Sequence, residues 1–176
     1  PRLGAPRAME DALARAYAEA GVDPGSVGYL ETNSSARPEE DRHEIHVLDR
    51  FFSSAQRQFP CRPGSAMADV GHTGAAAGLV AVVKASLALY QEVVPPLRGL
   101  RQPLARLAAS PTLRAPAFPQ TWVRNRVDGP RRAGVSASSV DGNFMHVVLE
   151  ACEGQSSERT LIERGQSVVA RGDGLF

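Results

Sequence analysis

The chain has 176 residues, with 20 basic against 19 acidic and a formal net charge of +1. That is enough for one domain, or a large part of one, with a real core, but it lacks the basic footprint that nucleic acid or an anionic membrane would require. Hydrophobic residues at 43% and charged residues at 22% exclude wholesale disorder. The two cysteines, Cys61 and Cys152, cannot build a disulfide scaffold or a four-cysteine zinc site.

Residues 7–20 place Met9, Leu13, Ala16, Tyr17 and Ala20 on one helical stripe, with Gly21 as the stop. Residues 27–32 read as a short strand that ends at Asn33-Ser34-Ser35. Pro38 suits a first helical position. Glu39, Glu40 and Asp41 favour the positive end of a helix that turns Ile45, Leu48 and Phe52 inward and stops near Ser54. Residues 60–64 are turn-like, and 65–70 read as a short extended piece. The turn Gly71-His72-Thr73-Gly74 then opens a second apolar helix that runs through Tyr90. Apolar side chains occupy nearly every face of that helix, so it is expected to be buried on most sides. Its apolar run, 75–83, stops at Lys84, the only lysine, short of the roughly 18 residues that span a bilayer. Pro95-Pro96 ends the helix, and 97–120 read as a meandering connection. Trp122-Val123 read as a strand. Two further strands, 133–136 and 145–150, are joined by a polar turn at 138–143. Residues 151–176 read as a polar tail or linker. Helices alternating with short strands predict a layered α/β domain over 1–150. No signal pattern opens the sequence, so a cytoplasmic location is expected.

Three features could carry chemistry. His43 and His46 stand three apart on a helix, beside Glu39, Glu40 and Glu44, but no third ligand is evident for a metal, and a solvated helix face explains them. Cys61 has a neighbouring Arg62 yet no base to activate it, and both cysteines read as non-catalytic. The segment DVGHTGAAAG, 69–78, stands apart: glycines permit a tight turn, and very small residues let the following helix pack closely. A neutral His72 at such a junction could donate a hydrogen bond to a carbonyl oxygen and stabilise an enolate. The same position equally suits a buried structural histidine.

The residues that decide between them are GHTGAAAGLVAVVKASLAL with its following Pro95-Pro96, the run YLETNSSAR at 29–37 with Asp41 and Glu44 beyond it, and RRAGVS through DGNFMHVVLE at 131–150. In this order they resemble three motifs of the β-ketoacyl-acyl-carrier-protein synthases, condensing enzymes of the thiolase-like superfamily. These motifs are the second-histidine helix, V-E-A-H-G-T-G-T with its D-P-x-E carboxylates, and the closing R-A-G-V-S-S-F-G-F-G-G-T-N-A-H-V-V-L-E. The resemblance covers about residues 6 to 150. It implies the C-terminal half of a layered α/β/α thiolase-like fold, with a mixed sheet and a buried central helix.

The resemblance also implies a site with departures. His72 takes the place of the second catalytic histidine, but Asn33 holds that of the first. Met67 stands where the family has a lysine, and Asp69 where it has asparagine. Thr73, Met67, Asp69 and Asn143 fall at substrate-binding positions, while His146 corresponds to a histidine read as structural. The family's nucleophilic cysteine belongs to the half of the fold that precedes Pro1. No metal or bound cofactor is implied, because acyl groups arrive on the phosphopantetheine of an acyl carrier protein. The expected partners are that carrier, the N-terminal half of the same fold, and an active ketosynthase or homodimer mate. Two functional expectations follow. One is a degenerate, chain-length-factor-type domain of a polyketide or polyunsaturated-fatty-acid synthase, which shapes the acyl tunnel of an active ketosynthase. The other is an active condensing enzyme with an unusual Cys/Asn/His site. Asparagine can donate a hydrogen bond but does not titrate near neutral pH, which favours the first.

Overall fold

The computed structural model describes residues 6–139 and 141–152. The first helix, α1 (Pro6–Ala20), buries Met9, Leu13 and Tyr17, with Ala12 taking the inward place expected of Ala16 and Ala20. It closes as a Schellman motif: Gly21 is left-handed, its N–H donates to the Ala18 carbonyl, and the Val22 N–H donates to that of Tyr17. Strand β1 (Val27–Glu31) and helix α2 (Pro38–Ser53) follow as predicted, with Ile45, Leu48 and Phe52 inward.

The next segments differ from the expectation. Residues read as a turn contain strand β2 (Arg62–Gly64), which pairs in parallel with β1. Pro63 is tolerated because β2 lies at the edge of the sheet. The piece read as extended is a short helix, α3 (Ala66–Val70), capped by the Ser65 hydroxyl, which accepts from the Ala68 N–H. Helix α4 (Ala77–Gln91) follows a single 3-10 turn. The connection read as meandering holds strand β3 (Val93–Val94), helix α5 (Ala105–Ala109) and strand β4 (Gln120–Thr121), with β3 and β4 paired antiparallel. Trp122 therefore follows a strand rather than forming one with Val123, and its ring packs on β1 beside Tyr29. Strands β5 (Arg132–Ser138) and β6 (Phe144–Glu150) form the predicted antiparallel pair. Residues 153–176, expected to be a tail, lie outside the described residues.

The main sheet has the order β2-β1-β5-β6, parallel except for β6. Alternation lets β1 serve both faces, and a register shift between Val27 and Tyr29 puts Val27 on the same face as Leu30. Val27 and Leu30 join Leu13, Leu48 and Phe52 in the core under α1 and α2, whereas Tyr29 joins Ala81, Ala85 and Val135 under α4. The result is the expected α/β/α layering around a mixed sheet. Close approach fixes Gly134 of β5, since a Cβ there would lie 2.8 Å from His146 Nε2 and 2.9 Å from the Tyr17 hydroxyl.

Among the described residues, helix α4 is not buried on most sides. Its alanine face, with Ala81, Ala85 and Ala88, packs on β5 and β1. Its outer face leaves Leu79 71%, Val83 57% and Leu87 54% exposed. The 18-residue stretch Gly74–Gln91 even reaches a mean hydropathy of 1.4, enough by length and composition to cross a membrane. The chain expressed alone is therefore expected to associate through this face. Size-exclusion chromatography with light scattering tests this, and a monodisperse monomer with a sharp cooperative melt contradicts it.

Candidate functional site

The C-terminal ends of β1 and β5, helix α3 and the start of α4 enclose a small pocket lined by Asn33, Met67, His72, Thr73 and Ser136, among others. Its volume is about 20 Å³, room for one water molecule. Four sequence-predicted site residues thus come together.

Asn33 leaves the end of β1. Its Oδ1 accepts from the Ser138 N–H at 2.9 Å, which commits the acceptor half of the amide and leaves the NH₂ to donate. The loop is held from below by Glu44 of α2. The Asn33 N–H donates to Glu44 Oε1 at 2.7 Å, and the Ser34 N–H to Oε2 at 2.9 Å. Within this loop Ser34 and Ala36 have φ of 45° and 61°, left-handed values that cost a side-chain-bearing residue about 1 kcal/mol or more. The resembling motif, G-T-G-T, has glycine at both positions.

His72 sits on a tight turn between α3 and α4. Gly71 is left-handed at φ 77°, and its N–H donates to the Met67 carbonyl. The Gly74 N–H donates to His72 Nδ1 at 2.9 Å, so Nδ1 is an acceptor and the neutral ring carries its proton on Nε2. The imidazole is exposed at the pocket rim, rather than buried as a structural histidine would be. An amide N–H and an imidazole N–H thus line one small cavity, an arrangement able to receive an oxyanion or a thioester carbonyl.

Two expected residues stand elsewhere. Asp69 does not line the pocket. It pairs with Lys84 at 2.7 Å, and Lys84 also reaches Glu31 at 3.3 Å. Asn143 lies in the turn before β6, on the α1 side of the sheet, where it borders an open groove with Asp11 and Arg15. The turn that carries it folds back on itself, with the Ser139 N–H donating to the Asn143 carbonyl.

Sequence reasoning missed Ser136. It lines the pocket, and its hydroxyl is hydrogen-bonded to His146 Nδ1 at 3.0 Å, while His146 Nε2 meets the Tyr17 hydroxyl at 3.1 Å. Burial pushes His146 down to about 4, so it stays neutral and structural, as expected. The serine in R-A-G-V-S was the available signal. Cys61 is fully buried, which pushes its thiol up to about 11 despite Arg57 and Arg62 nearby. This suits an inert residue. Among the described residues no three His, Cys, Asp or Glu side chains gather as metal ligands.

The family described as Beta-ketoacyl synthase, C-terminal domain, matches residues 4–101. The chain is 35% identical over 157 residues to a phenolphthiocerol/phthiocerol polyketide synthase component of Mycobacterium tuberculosis, a match that covers 87% of this chain but 10% of that protein. Among solved structures, the ketosynthase from module 6 of the bacillaene synthase of Bacillus subtilis 168 superposes with a TM-score of 0.81 at 22% identity, covering 99% of this chain and 34% of that one. A structure titled PfaC Keto synthase-Chain length factor gives a TM-score of 0.73 at 31% identity, covering 84% of this chain and 15% of that one. The chain therefore spans only a small part of the proteins it resembles.

The loop strap has a pH signature. Burial raises Glu44 from the usual 4.5 to about 7, against the opposing N–H groups of Ser34 and Asn33. Folded Glu44 thus binds its proton before the unfolded chain does, and it adds stability as pH falls from 7 toward 4.5. His146, lowered from 6.5 to about 4 by burial, does the reverse, because the unfolded chain takes that proton first. The two slopes oppose each other between 4.5 and 6.5. Glu44→Gln removes only the first, so the variant should lose about 2 kcal/mol more than wild type between pH 7 and pH 5. Urea-unfolding midpoints at the two pH values measure it, and parallel pH dependences contradict it.

Proposed function

The chain belongs to the β-ketoacyl synthase family, and we propose that it is a catalytically degenerate ketosynthase-like domain of the chain-length-factor type. In this reading it pairs with an active ketosynthase in the cytoplasm and shapes the tunnel that holds a growing acyl chain. The chain would be delivered on the phosphopantetheine of an acyl carrier protein, with the N-terminal half of the same fold completing the tunnel wall. One observation carries the reading. Where the family's first histidine belongs stands Asn33, a donor that does not titrate and whose acceptor atom is already taken by the Ser138 N–H. Met67, which lines the same pocket, supplies no cation in place of the family's lysine.

The shared pocket also favours a second reading, an active decarboxylating enzyme. There His72 Nε2–H and the Asn33 amide would donate to the thioester oxygen of a malonyl group. The bond to the carboxylate would break, carbon dioxide would leave, and the electron pair would pass into the enolate, to be spent on an acyl group held by a cysteine elsewhere in the protein.

The full-length protein separates the two when malonyl-thioester decarboxylation is assayed with and without a ketosynthase partner. Wild type is expected to be slow on its own, and Asn33→His, which puts a titratable imidazole where the amide stands, is expected to raise turnover by roughly a hundred-fold or more, the usual worth of one positioned acid or base. Robust turnover by wild type alone, abolished by His72→Ala, refutes the degenerate reading and supports the active one.

A further inference from the structure

We infer that Asp69 and Lys84 act as a positioning pair that closes the hairpin between α3 and α4 and holds His72 against Asn33. The inference rests on the reading of His72 as a carbonyl donor and extends it to residues outside the pocket. His72 hangs on a loop between two helices. That loop contains two left-handed glycines, Gly71 at φ 77° and Gly74 at φ 60°, which adopt this path without strain but lend it no stiffness of their own. The loop's position is therefore set by its two ends.

Both ends are tied through one charge cluster centred on the fully buried Glu31. At the start of α3, the Ala66 backbone hydrogen-bonds to Glu31. At its other end, Asp69 Oδ2 meets Lys84 Nζ at 2.7 Å, and Lys84 lies two turns into α4. The same ammonium reaches Glu31 at 3.3 Å, and the Tyr29 hydroxyl donates to Glu31 as well. Glu31 has no exposed surface, and the Lys84 and Asp69 side chains are 16% and 23% exposed. One ammonium with three donors can serve both carboxylates, and at these exposures solvent screens the pairs only in part. The three charges lock β1, α3 and α4 into one arrangement, and the turn Gly71-His72-Thr73 is what that arrangement carries.

The resembling motif has asparagine at position 69, which accepts a hydrogen bond from a lysine without a charge. Here the aspartate makes an ion pair, three residues before His72 and outside the pocket lining.

The test uses the full-length protein with ¹⁵N-labelled histidine. The His72 resonances are identified by their loss in His72→Ala. The probe for binding is the amide analogue of malonyl-pantetheine. Asp69→Ala is the variant of choice because it removes the tie to Lys84, which asparagine would keep as a hydrogen bond, and leaves the Lys84–Glu31 pair in place, whereas Lys84→Met would strand the fully buried Glu31. Asp69→Ala is expected to melt within a few degrees of wild type, to shift His72 away from the single Nε2–H tautomer, and to weaken the analogue about tenfold or more, as small misplacements of a reacting group do. Lys84→Arg, which keeps both ion pairs, is expected to retain the wild-type spectrum and affinity. A wild-type His72 spectrum in Asp69→Ala overturns the inference, and so does outright unfolding of that variant, which would make the pair a requirement of the whole fold. Unchanged affinity in His72→Ala instead overturns the carbonyl-donor reading, while the tautomer signal still reports on the positioning pair.

Discussion

Two carboxylates buried at the exit of β1 constrain everything around them. Burying an ionised carboxylate costs several kcal/mol unless charge or hydrogen bonds compensate, and Glu31 and Glu44 are both buried. Glu31 is matched by Tyr29, Lys84 and the Ala66 backbone, so β1, α3 and α4 cannot be placed independently. Glu44 is matched by the Asn33 and Ser34 N–H groups, so α2 cannot move without the loop above it. The two walls of the pocket are therefore fixed by carboxyl groups that never touch its contents.

Topology supplies the rest. Strands β2, β1 and β5 are parallel, so their C-terminal ends reach one edge of the sheet, and ligands of open α/β sheets gather in the crevice there. Asn33 follows β1, Met67 follows β2, and Ser136 lies near the end of β5. The antiparallel β6 returns from that edge and brings His146 back under Ser136. That explains why one histidine of the closing motif is buried and neutral while His72, on the opposite face of the sheet, is open to the pocket.

Local signals made much of this legible. Gly71 and Gly74 bracket His72, Pro38 opens α2, and the stripe of α1 announces its buried face. Resemblance then joined Asn33 to His72, 39 positions apart, a proximity that no periodicity shows. What could not be read depended on partners distant in sequence. Strand β2 is three residues containing a proline, and only its parallel pairing with β1 makes it a strand. The five residues of α3 are too few for a helical period to show. Asp69 fell at a substrate-binding position by resemblance, but Lys84, fifteen residues later, takes it up outside the pocket. The outer face of α4 looked buried because sequence reports how apolar a face is, not whether this stretch of chain supplies its cover.

The loop at Asn33 shows how shape and chemistry can part company. Ser34 and Ala36 keep the left-handed backbone that the resembling motif gives to glycines, at a local cost that the Ser34–Thr32 hydroxyl contact offsets only in part. The rest comes from Glu44, which grips the loop through two N–H groups whatever side chains those residues carry. A carboxylate bonded to backbone holds the path of the chain without regard to the residue at position 33. Histidine there would titrate and asparagine does not, yet either can occupy the same place. A scaffold fixed through its backbone can thus outlast the loss of a proton-handling group, and this is why a nearly intact fold is compatible with an altered site.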